Sequence, residues 1–230
     1  MRWGWLARNP VSAATRPEVP RTTVTLPAAA QVRAALAAAA ATDPALACWL
    51  QIAVATGARR GEVCALRWAD IDLDAATMRI HRSVSATKTA GVFIKTTKTG
   101  GVRLVSLTTQ AVAALHHRHA RADQTALAAG RQVEPAHQIF TSDPSGQRPW
   151  RPELVTRRWE RLRNRAGLSH VRIHDLRHFV ATELLTAGID ALTVANRLGH
   201  ARTSTTLDID WAWVPARDRD AANHLESLLD

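Results

Sequence analysis

Apolar residues recur at three- and four-residue spacing along most of the chain, the repeat that buries one face of a helix. Pro27 sits where a proline suits a first helical turn, and the Ala, Gln, Arg and Leu that follow are good helix formers. A second helix is expected over 44–56, ending at Gly57, a natural C-terminal cap. A short amphipathic helix is expected over 62–68. After Asp70-Ile71-Asp72 the period changes. Short apolar or alternating runs at 78–81, 92–94 and 102–105, separated by Gly and Thr, predict a three-stranded antiparallel sheet. Helical spacing returns over 108–129, and a short strand is expected at 138–141. Five further helices are predicted at 153–166, 174–187, 191–198, 203–211 and 216–229. The fold class is therefore α+β, mostly α-helical with a small three-stranded antiparallel β-sheet inserted early.

The first 24 residues carry no such pattern. Pro10, Pro17 and Pro20 interrupt them, and 16–21 reads as a linker leading into a domain over 25–230. No apolar run approaches the roughly 18 residues that span a bilayer, because Gln31 and Arg33 break the Ala-rich stretch 28–41. Arg2-Trp3-Gly4-Trp5 lacks the pattern of a signal peptide. Two cysteines, Cys48 and Cys64, provide neither a disulfide framework nor metal-site spacing. The expectation is a cytoplasmic protein with no membrane contact, no metal and no cofactor.

Charge narrows the field. Lys and Arg total 30 against 20 acids, a formal +10, and only Lys88, Lys95 and Lys98 are lysines. The planar guanidinium donates two hydrogen bonds to one oxyanion, and a large positive balance draws in polyanions. Nucleic acid is one reading; an Ala/Arg-rich coding bias that leaves solvated arginines is the other. The same choice applies to the six arginines in 151–165, a DNA-facing surface or a solvated helix face.

Several polar residues interrupt these elements at telling places. Thr56-Gly57-Ala58-Arg59-Arg60-Gly61-Glu62 sets an arginine between two helices. Lys98 falls in the turn between two predicted strands, with Lys95 as its rival. His174-Asp175-Leu176-Arg177-His178 opens a helix with His174 and Arg177 on one face, and Leu198-Gly199-His200 closes another. Two arginines, a lysine and two histidines suit a phosphodiester whose charge is about to change. The arginines hold non-bridging oxygens, the lysine protonates a leaving oxygen, and the histidines donate hydrogen bonds or move protons. Taken singly, each has a plainer reading as a surface or helix-end residue. His174 and His178 could also ligate a metal, although no third ligand is indicated. Glu62 and Asp175 are expected to buttress neighbouring arginines or cap helices.

Together these boxes resemble the catalytic domain of the tyrosine recombinases, the phage integrase family. Ala55-Thr56-Gly57-Ala58-Arg59-Arg60-Gly61-Glu62 looks like the family's first arginine box. Lys98 is similar in placement to its β-hairpin lysine, with Arg103-Leu104-Val105-Ser106-Leu107 like the strand that follows. His174-Asp175-Leu176-Arg177-His178 looks like its histidine–arginine box, and Leu198-Gly199-His200 the approach to its nucleophile. Four boxes in order, over about 26–229, imply that Arg59, Lys98, His174, Arg177 and His200 are catalytic. They further imply that the partner is double-stranded DNA. Residues 1–24 look like the end of a core-binding domain and the interdomain linker.

One position departs from the resemblance. The chain contains no tyrosine, and Thr205-Thr206-Leu207-Asp208-Ile209-Asp210 places Asp210 in the slot of the nucleophile. An aspartate is shorter, is already an anion at neutral pH, and would form a labile mixed anhydride on attack. Ser204, Thr205 and Thr206 are hydroxyl alternatives that more simply cap or pack the turn. The resemblance thus implies a DNA-binding recombinase-family protein with impaired catalysis. A non-enzymatic DNA-binding regulator is the alternative, one that occupies attachment sites or joins assemblies of intact recombinases. A hydrolase using water at the surviving Arg/His site is a third. The helix expected at 216–229 would suit docking on another copy or on an intact recombinase protomer.

Overall fold

A computed structural model describes residues 26–199, apart from 88, 90 and 97–100, together with residue 14. Seven helices and five short strands follow in the order α1 (Ala29–Thr42), α2 (Pro44–Thr56), α3 (Arg60–Cys64), β1 (Ile71–Asp72), β2 (Thr77–Ile80), β3 (Arg82–Thr87), β4 (Gly91–Thr96), β5 (Arg103–Ser106), α4 (Thr109–Ala128), α5 (Pro152–Arg165), α6 (Asp175–Thr186) and α7 (Ala191–Leu198). A 3-10 turn, Trp68–Asp70, precedes β1.

Helix α2 forms the hub. Leu46, Trp49, Leu50, Ile52 and Ala53 are all buried, so this helix is apolar on more than one face and packs against α1, α3, α4, α5 and α6. Its ends follow local chemistry. The Asp43 side chain accepts from the Leu46 backbone N–H at 3.1 Å, Pro44 occupies the first turn, and Gly57 stops the helix at φ 63°. A Cβ on Gly57 would lie 2.2 Å from Leu198 Cδ2. Glycine there lets the end of α7 close onto the end of α2.

The strands form where alternation predicts them, but in two sheets rather than one. β2 pairs antiparallel with β1 and with β5, whereas β4, which contains 92–94, pairs only with β3. Residues 82–87 supply a partner strand that the pattern did not reveal. β4 and β5 thus belong to different sheets and are not paired with each other among the described residues. The helix expected over 62–68 is displaced to 60–64: Arg59 is already the cap, and the helix ends before the 3-10 turn at Trp68. At 138–141 only isolated bridges form, Arg67 with Gln138 and Thr141 with Pro149. No helix among the described residues is long and apolar enough to cross a membrane. The helices expected at 203–211 and 216–229, and all of 1–24 except residue 14, lie outside the described residues.

Candidate functional site

The site gathers where the ends of α2, α3, α6 and α7 meet. Arg59 caps α3 in extended conformation and Glu62 holds it twice. Glu62 Oε2 accepts from the Arg59 backbone N–H and Oε1 from Arg59 Nη1, both at 2.9 Å. Arg59 Nη2 donates to the Gly199 carbonyl at 2.9 Å. From the first turn of α6, Arg177 Nη1 donates to the carbonyls of Gly57 at 2.6 Å and Leu198 at 2.8 Å. Two arginines far apart in sequence therefore converge on consecutive carbonyls at the C-terminus of α7, where helical carbonyls lack intrahelical partners and the dipole is negative. Arg59 keeps 31% of its side chain exposed, so its cation stays open to solvent.

A third guanidinium completes this end, and the sequence reading did not assign it. Arg103 on β5 donates through Nε to the Arg197 carbonyl at 3.0 Å and through Nη2 to Glu62 Oε2 at 2.5 Å. Gly199, at φ 69°, lies so close that a Cβ there would sit 2.6 Å from Arg103 Nη1. A signal was present: Arg103 and the buried Val105 share one face of their strand, so Arg103 points inward and requires an acidic partner. Burial alone would discourage ionisation of Glu62. The hydrogen bond and charge of Arg103, with the bond and charge of Arg59, outweigh it and hold the carboxyl below its ordinary range. Arg197 works outward from the same helix end, donating from Nη2 to the carbonyls of Ala55 and Ser106.

Of the adjacent pair, Arg60 turns away, and its Nη1 donates to the Thr156 hydroxyl on α5. His174 caps α6 one turn from Arg177, with the His178 ring 4.8 Å away in a T-shaped contact. Burial chiefly, with the neighbouring His178 and Arg177, pushes the His174 pKa down to about 4. At neutral pH this ring is a neutral donor or acceptor. No group of three His, Cys, Asp or Glu suited to a metal ion occurs among the described residues. Asp175 buttresses Arg172, accepting from the Arg172 backbone N–H at 2.7 Å and from Nη2 at 3.0 Å. Lys95 is exposed on β4 opposite Ser83, whose Oγ lies against Gly61 at the start of α3. Lys98, His200, Ser204, Thr205, Thr206 and Asp210 lie outside the described residues.

The depressed His174 value has a measurable consequence. The unfolded ring binds a proton near pH 6.5, but the folded ring resists until about pH 4. Its contribution to stability is present above 6.5 and is lost as pH falls through that window. Urea midpoints should fall between pH 7 and pH 5, and His174→Gln should flatten that fall. An unchanged pH dependence in the variant would show that His174 does not set it.

Residues 28–209 match the Phage integrase family. The chain belongs to the phage integrase family. It is 29% identical over 180 residues to the ICEBs1 integrase of Bacillus subtilis, covering 77% of this chain and 48% of that protein. It is 32% identical over 219 residues to tyrosine recombinase XerC 2 of Ralstonia nicotianae, covering 88% and 55%. The chain thus spans about half the length of these relatives. Its fold superposes on the Tn1549 transposon integrase, solved in complex with transposon right end DNA, with a TM-score of 0.71 at 18% identity. That match covers 90% of this chain and 67% of the integrase chain. The mostly helical fold with small antiparallel sheets is that of a tyrosine recombinase catalytic domain.

Proposed function

We propose that this phage integrase family chain binds duplex DNA through arginine–phosphate contacts. In this reading Arg59, Lys98, His174, Arg177 and His200 form its phosphodiester site. Strand exchange is impaired because Asp210 fills the tyrosine slot. The observation that carries the reading is the convergence of Arg59 and Arg177 on one helix end, with a neutral His174 beside them. The solved Tn1549 integrase, whose fold this chain shares, was captured on transposon DNA. The part-exposed Arg59 guanidinium would present its N–H groups to the non-bridging oxygens beside the charge of Arg177, and a neutral imidazole would add a hydrogen bond. Lysine supplies the proton for a leaving 5′-oxygen. Lys98 holds that role here and Lys95 is its rival.

The absence of any tyrosine favours a second reading, a regulator that binds DNA without cutting it. In that case the segment 216–229 would join it to another copy or to an intact recombinase. Both readings require DNA binding, which a fluorescein-labelled 30-base-pair duplex tests by anisotropy across a salt series. The association constant should fall linearly in log–log form, with a slope set by the number of phosphates neutralised. Arg59→Ala should weaken binding by about 10- to 100-fold, the cost of one charge-assisted contact. Failure of the parent chain to bind at about 50 mM salt would remove DNA as the partner.

A further inference from the structure

Away from the α7 end, a second group of cations surrounds one carboxylate. Asp70, in the 3-10 turn after α3, is buried with only 3% of its side chain exposed. Oδ2 accepts from the Arg67 backbone N–H at 2.9 Å and from Arg82 Nη2 at 2.5 Å. Around Oδ1 there are only longer approaches, His81 Nδ1 at 3.7 Å and Arg79 Nη2 at 3.9 Å. Two guanidiniums and an imidazole therefore approach a single carboxylate, while Arg67 gives it a backbone N–H and sets its own charge beside His81. The donors exceed the acceptors: Arg67 Nε, Arg82 Nε and His81 Nδ1 are buried without a hydrogen-bond partner. One cation would satisfy a structural ion pair, and the surplus repels itself in a partly desolvated setting. Charges left over in this way suit an external anion. The route in is Arg79, whose side chain is 54% exposed.

The place of the cluster identifies the anion. Arg82 begins β3, and two residues on, the Val84 carbonyl lies against Gly61 in α3, the helix that Arg59 caps. At about 3.3 Å per residue, this puts the start of β3 roughly 7 Å beyond that contact. Phosphates advance about 3.4 Å per nucleotide along one strand of a duplex. A backbone held at Arg59 is therefore within a few nucleotides' reach of Arg79. We propose that Arg67, Arg79, His81 and Arg82 form a second phosphate-binding point, which takes a backbone phosphodiester of the same duplex outside the Arg59–Arg177 site. It rests on the DNA-binding reading above. Asp70 orients the guanidiniums, and Arg79 meets the phosphate.

The salt dependence of binding to the same 30-base-pair duplex tests it. Arg79→Ala should lower the slope of log K against log salt by about one and weaken binding about 3- to 10-fold at 100 mM. Arg79→Lys should keep the slope, since it keeps the charge. The control is Arg131→Ala, an exposed arginine in the loop after α4, which should leave the slope unchanged. Parent-like slopes in Arg79→Ala would overturn the second point while leaving the DNA reading intact. Equal losses in Arg79→Ala and Arg131→Ala would also overturn it, since diffuse charge would then explain the effect. No binding by the parent protein would overturn the DNA reading and this site with it.

Discussion

Asp210→Tyr should form a covalent protein–DNA adduct on nicked suicide duplexes bearing the candidate attachment site, where the parent forms none. A covalent nucleophile is worth on the order of 10⁴- to 10⁶-fold in rate, because it splits one difficult displacement into two easier ones. A phenol can attack phosphorus and later leave as phenoxide. The Asp210 carboxylate would form a labile acyl phosphate, and the chain holds no tyrosine to take its place. On the proposed reading the remaining machinery is electrostatic, and three of its residues meet: Arg59 and Arg177 on the end of α7, with His174 capping α6 one turn from Arg177. Restoring the hydroxyl at 210 should therefore restore the step. Denaturing gels read the outcome directly. An adduct formed by the parent would overturn catalytic impairment and identify another nucleophile. Nicking by the parent without an adduct would favour the hydrolase reading. No adduct from Asp210→Tyr, on a duplex that the protein demonstrably binds, would mean that more than the nucleophile has been lost.

The second large effect concerns stability. Glu62→Ala should lower unfolding free energy by about 3–5 kcal/mol, the usual cost of removing one partner from a buried ion pair. Glu62 exposes 1% of its side chain and serves three donors: the Arg59 backbone N–H, the Arg59 guanidinium and Arg103. Its removal leaves two guanidiniums facing each other and an uncapped α3. Arg59 and Arg103 also hold the Gly199 and Arg197 carbonyls, so the damage should spread to the end of α7. Glu62→Gln keeps an acceptor but not the charge and should lose less. Because Glu62 has its folded pKa depressed, its contribution is present above the unfolded carboxyl value of about 4.3 and is lost as pH falls through the folded one. Urea unfolding at pH 7 and pH 4 would test both statements. A Glu62→Ala protein within 0.5 kcal/mol of the parent, a bound typical of inert surface changes, would show that the ion pair is not integral to the fold.

The sequence by itself determined the order and type of most described helices, because a 3.6-residue apolar repeat and its stop signals are local properties. Gly57 ends α2 and Gly199 ends α7 for reasons visible in the chain. It also supplied the boxes that resemble a recombinase site, and with them the expectation that Asp210 stands in the tyrosine slot. The tertiary structure alone decided what depends on residues distant in the chain. It split the strands into two sheets, because 82–87 rather than 102–105 pairs with β4. It turned Arg60 toward α5, where the Thr156 hydroxyl takes it, and set Arg59 on the end of α7. Glu62 was legible as a buttress, but its second cation was not, because Arg103 arrives from a strand about 40 residues later. The same holds for the cations around Asp70, where burial and a shortage of acceptors turn ordinary-looking arginines into a charged cluster.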